Sequence, residues 1–142
     1  MNNAFSVPIY SLSESKPELI SPLGEGQKGL FVLVTGQDWA KYDAFIGKIL
    51  KAIDFDIARD VRIFPLFDGK TISWTDLEAF VPWSHLWVAG DKLLAVNMDF
   101  QLYQWLGIHQ KHIIFTHAIG QIEGNASHKK MLWDALRMMF IE

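Results

Sequence analysis

The chain has 142 residues, half of them apolar and 20% charged, which is enough for one hydrophobic core and excludes an intrinsically disordered chain. Its 13 basic residues against 16 acidic give a net charge of −3, so no electrostatic footprint for duplex nucleic acid is present. There is no cysteine, which removes disulfides and thiolate metal sites and fits a reducing compartment.

Residues 1–28 lack sustained periodicity and carry Pro8, Pro17, Pro22, Gly24 and Gly26. They read as an N-terminal arm, extended or partly disordered, ahead of a single α/β domain over 29–142. Within the arm Phe5, Val7, Ile9, Tyr10 and Leu12 are apolar enough to dock, either on their own domain or on another protein. No basic start is followed by a continuous apolar core, and no apolar run reaches the roughly 18 residues that span a bilayer, so the expectation is a soluble cytoplasmic chain with no membrane segment. The run from Gly24 to Gly29 precedes a strand, whereas a phosphate loop follows one.

Leu30 to Thr35 is apolar or β-branched without alternation, the pattern of a strand covered on both faces. Gly36 breaks the run, and Asp38 is placed to cap the helix that follows. There Trp39, Tyr42, Phe45, Ile46, Ile49, Leu50 and Ile53 recur at helical steps opposite Lys41, Asp43, Lys48 and Lys51. Val61 to Leu66 is the second strand, with Arg62 and Pro65 marking a sheet edge. Phe67 to Lys70 is a turn, and Ser73-Trp74-Thr75-Asp76 opens a short helix as a capping box. His85 to Ala89 is the third strand, stopped by Gly90-Asp91, and Lys92 to Val96 is a short strand or an extended connection. Asp99 to Leu106 reads as a helix ended by Gly107. His112 to Thr116 is the fourth strand, and Ser127 is placed to cap a last helix striped by Leu132, Trp133, Leu136, Met139 and Phe140.

Alternating strands and helices imply a three-layer α/β domain with a mainly parallel sheet and helices on both faces. In such a sheet a ligand crevice lies beyond the carboxyl ends of the strands. That edge should gather Gly36, Gln37, Asp38, Gly90, Asp91, Thr116 and His117. Asp38 could orient a water and His117 stabilise a developing anion, or Asp38 is only a cap and His117 a loop residue. The six tryptophans are core or, for Trp83 and Trp87, a base-stacking platform. His109 and His112 have no third ligand, so no metal and no cofactor are expected.

Two likenesses follow from these motifs. GQDW after the first strand resembles the GQDPY water-activating motif of uracil-DNA glycosylases, and THAIG after the fourth resembles the place of their HPSP loop. The closing NASHKKMLWDALRMM, and the strand and helix of LFVLVTGQDWAKYDAFIGKILKAIDFD, are similar to the psi subunit of DNA polymerase III, a non-catalytic variant of the same fold. The resemblance implies a four-stranded sheet of order 2-1-3-4 and a role as a replisome interaction subunit. Such a subunit links the clamp loader to a partner protein, with weak or absent nucleic-acid binding of its own. The alternative it implies is a reduced uracil or damaged-base glycosylase using Asp38 and His117. Against that stand Trp39-Ala40 in place of Pro-Tyr, Ala118-Ile119-Gly120 in place of Pro-Ser-Pro, and the lack of a base-reading Asn, since Asn97 follows the wrong stretch.

Overall fold

The apolar run at 30–35 becomes a strand with a neighbour on each side in the computed structural model, which describes residues 23–66, 71–78, 83–90, 93–95, 100–108 and 110–141. In chain order the elements are β1 (Leu30–Thr35), α1 (Gly36–Ala52), β2 (Val61–Leu66), β3 (Ile72–Ser73), α2 (Trp74–Glu78), β4 (His85–Ala89), β5 (Leu94–Ala95), β6 (Trp105–Ile108), β7 (Lys111–Thr116), α3 (Ile119–Glu123) and α4 (Ala126–Phe140). The main sheet runs β2-β1-β4-β7-β6, parallel except for β6, and β3 pairs with β5 in a separate parallel ribbon.

The sheet has five strands where four in the order 2-1-3-4 were expected, and the difference is the added edge strand β6, at residues 105–108. Phe100, Leu102, Tyr103 and Leu106 have helical spacing, yet residues 105–108 form β6, antiparallel to β7 with Ile108 opposite Lys111. Gly107 sits within that strand opposite His112 instead of ending a helix. The period that prevails is two: Leu106 and Ile108 pack on one core, whereas Trp105 packs on the other. Gln110, at a φ of 68°, turns the chain into β7.

β1 feeds both cores because its side chains alternate. Leu30, Val32 and Val34 meet Ile46 and Leu50 of α1, Ile119 and Ile122 of α3, and Leu132 and Leu136 of α4. Phe31 and Leu33 meet Ile72, Leu77, Trp83 and Leu94. Helices on both faces were expected, but among the described residues the second face carries only the five-residue α2 beside the β3-β5 ribbon. Its start is the expected reciprocal cap, Asp76 N–H donating to Ser73 Oγ at 3.0 Å and Ser73 N–H to Asp76 Oδ2 at 3.2 Å. Trp87 is fully buried and Trp83 only 4% exposed, which makes both of them core and not platforms for bases.

Residues 23–29 lie along β2 and the loop before it: Leu23 and Ile63 exchange two backbone bonds of 2.8 Å. Asp60, buried at the start of β2, accepts from the Asp56 N–H at 2.9 Å, the largest cause of its lowered pKa; Lys28 and Arg59 beside it add to the effect and burial opposes it. The chain passes from β1 to β2 over the first face, by α1, and from β2 to β4 past the second, where α2 lies. That reversal puts the topological switch point between β1 and β4, at their carboxyl ends. Among the described residues no helix is long and apolar enough to cross a membrane.

Candidate functional site at the carboxyl edge of the sheet

Gly36, Gln37 and Asp38 are the first turn of α1, which follows β1 without an intervening turn. The expected cap is corrected: Thr35 caps α1, its Oγ1 accepting from the Asp38 N–H at 3.0 Å. The β1 side chain that ends the strand is already at hydrogen-bond reach of the third helical N–H, so the Asp38 carboxylate is free of capping. It sits in the first turn, where the helix dipole favours a negative charge. Gly36 is buried and Gln37 exposed.

Asp38 and Tyr42 meet α3. A Cβ on Gly120 would come within 3.3 Å of the Tyr42 ring and 3.4 Å of Asp38 Oδ1, so a side chain there would be a tight fit between the two helices. α1 is kinked at this contact, with Tyr42 at φ −122° and ψ 20°. Gly90, leaving β4 at a φ of 142°, holds a backbone conformation that a side chain would strain, and a Cβ there would lie 3.1 Å from Leu93. Gly90 is therefore a turn residue, and Asp91 lies outside the described residues. So do the arm residues Phe5, Val7, Ile9, Tyr10 and Leu12, and also His109 and Asn97.

His117 follows β7 by one residue and is half-buried. Its Nδ1 shares a 2.9 Å hydrogen bond with Tyr103 Oη, and its ring lies nearly parallel to that of His128, with centroids 4.0 Å apart. Its backbone is tied from below: Trp87 Nε1–H donates to Thr116 Oγ1 at 2.8 Å, and Thr116 Oγ1–H donates to His117 O at 3.0 Å. Burial, and then the neighbouring His128, lower the His117 pKa, so the ring favours its neutral form. Burial raises the Tyr103 pKa and keeps the phenol protonated, outweighing a hydrogen bond with the His117 backbone that acts the other way.

Sequence reasoning finds Asp38 and His117 and misses Tyr103, His128 and Tyr42. Tyr103 reads as one apolar residue of a helix, but it stands at a φ of 66°, unusual for a bulky side chain. His128 comes in from α4, whose cap is corrected from Ser127 to Asn125, its Oδ1 accepting from the His128 N–H at 3.0 Å. His128 Nδ1 is buried with no hydrogen-bond partner.

Chemically, the edge offers a free carboxylate on α1 and a neutral imidazole before α3, and the imidazole is clamped by a phenol and a second imidazole. Among the described residues no group of three or more His, Asp or Glu is arranged to hold a metal ion. Compared with known proteins, the chain matches no family model, and no curated protein matches its sequence.

Proposed function

We propose that this chain is a non-catalytic interaction subunit of a replisome, similar to the psi subunit of DNA polymerase III, working in the cytoplasm and joining the clamp loader to a partner protein. The observation that carries the reading is the state of His117. A ring bonded to Tyr103 at Nδ1 and covered on one face by His128 is held as a packing element. A general acid-base or anion-stabilising group contributes its roughly two to four decades of rate only when aimed at the reacting atoms. The segment Trp39-Ala40 also lacks the rigid residue that would aim Asp38. The docking element in this reading is the arm, through Phe5, Val7, Ile9, Tyr10 and Leu12, an apolar peptide able to add to a partner's groove or sheet edge. Capture of the purified clamp loader by the full chain, compared with a Phe5→Asp/Ile9→Asp/Tyr10→Asp variant, tests it. Loss of capture in the variant supports the arm, and retention by the variant removes it from the interface.

A second reading, a reduced uracil or damaged-base glycosylase, is favoured by one feature: Asp38 Oδ1 lies near the first turn of α3, 3.4 Å from where a Cβ on Gly120 would stand, and His117 comes two residues before that helix. A single-turnover assay on uracil-containing single-stranded DNA separates the two. Base release abolished by both Asp38→Asn and His117→Ala makes the pair catalytic, and no release leaves the interaction reading standing.

A further inference from the structure

α1 and α4 both pack on the first face of the sheet, and residues of the two helices line an apolar groove of about 260 Å³. Phe45, Ile49, Leu132 and Trp133 line it, and its charged residues are Lys48 and Lys129. No carboxylate among the described residues lines it, although the chain as a whole is acidic. Among the described residues neither lysine has an ion-pair partner, whereas the adjacent Lys130 is paired with Asp134 at 3.0 Å. Lys129 Nζ stands 5.7 Å from the centre of the Phe45 ring, over the groove wall.

The volume lies below the roughly 300–1,000 Å³ of small-molecule sites, so the groove has room for one or two side chains of a peptide. Its walls reward an apolar side chain, and its two unpaired ammonium groups reward carboxylates beside that side chain. We infer that this groove docks a partner-protein peptide in which a large apolar residue is flanked by acidic ones. The inference rests on the reading of the chain as an interaction subunit and gives it a second contact, apart from the arm.

Fluorescence anisotropy with the intact chain and a fluorescein-labelled peptide, Asp-Glu-Leu-Phe-Glu-Asp, tests it. Saturable binding is expected, weakening as salt rises. It should fall about tenfold or more in Lys48→Glu/Lys129→Glu, and by a similar factor when the peptide's Leu-Phe is replaced by Ala-Ala. Both lysines are exposed, so that variant keeps its fold, checked by its circular dichroism. Absence of binding, equal binding of Lys-Lys-Leu-Phe-Lys-Lys, or indifference to the charge reversal overturns the proposal. A concentration-dependent dimer abolished by the same variant would give the groove to a second copy. Peptide binding gained only on Glu14→Lys/Glu18→Lys would give it to the chain's own arm. The assay contains no replisome component, so binding here with no capture of the clamp loader would sink the replisome reading alone. The reverse result would sink the groove alone.

Discussion

A stacked pair of histidines lies near each end of the paired strands β4 and β7, and the two pairs are made in different ways. At the amino end His85 and His112 face each other in the strand register, rings 5.2 Å apart and nearly parallel. His85 Nδ1 is 2.8 Å from Ser84 Oγ, and Trp105 and Phe140 pack against the ring. At the carboxyl end His117 and His128 are closer, at 4.0 Å, yet they are not brought together by strand pairing. One follows β7 and the other starts α4, and Tyr103 clamps them from a third segment. The first pair is a consequence of sheet register. The second depends on side-chain bonds and on a tyrosine in a left-handed backbone conformation, which costs on the order of 1–3 kcal/mol and persists only where its surroundings over-determine it. That difference makes the carboxyl pair the one that sheet register does not specify.

The strongest way to break the comparison is through Trp87, which stands on β4 between the two pairs and reaches Thr116. Trp87→Ala should cost about 3–5 kcal/mol, as for other large buried aromatics, and loosen both pairs. Trp87→Phe keeps most of the volume and removes only the indole donor, costing about 1 kcal/mol and disturbing the carboxyl pair alone. Urea unfolding gives the energies, and histidine ring proton shifts show which pair moves. If Trp87→Phe shifts the His85 and His112 signals as much as those of His117 and His128, the two ends are not independent.

A smaller effect is expected at Tyr103. Tyr103→Phe removes the bond to His117 Nδ1 and leaves the ring in place, with an expected loss of about 1 kcal/mol and no change at the amino end. Tyr103→Gly separates the terms, since glycine relieves the positive φ but gives up the buried ring. If the glycine variant is the more stable of the two, the strain outweighs the packing.

These same places show how far the sequence could be read. The strand at 30–35, the helix after it apart from its cap and its kink, and the capping box at Ser73 are written in local patterns, namely an unbroken apolar run, a 3.6-residue period and a cap spacing. β6 was not legible, because its apolar residues fit a helical period when taken with Phe100 and Leu102, and only the partner strand β7 selects the period of two. Asp38 and His117 could be placed at the sheet edge from topology alone. Their surroundings could not: Tyr103 and His128 reach His117 from segments 14 and 11 residues away (117 − 103 and 128 − 117). Nothing in either segment encodes a positive φ at a tyrosine or the face of α4 that His128 takes.

The smallest expected effect is on acid stability, and it sharpens the comparison because both pairs should contribute with the same sign. Burial, followed by the like-charge neighbour His112, lowers the His85 pKa; burial, followed by His128, lowers that of His117. Both therefore lie below the ordinary value of 6.5 that the unfolded chain shows. Between the folded and unfolded values the unfolded state binds more protons, so stability is fully present above 6.5 and is lost as the pH falls through the folded values. Asp60 acts in a separate window. Its lowered pKa gives stability present above 3.8 and lost only on further acidification. The melting temperature should thus decline in two steps on acidification, the first in the histidine range. His112→Gln and His128→Gln each remove one like-charge neighbour, so each should flatten part of the first step and leave the second untouched. The pair at 4.0 Å should give the larger electrostatic share. A first step that survives in the double variant would assign it to desolvation of His85 and His117 alone, and stacking would then play no part in the acid response of either end.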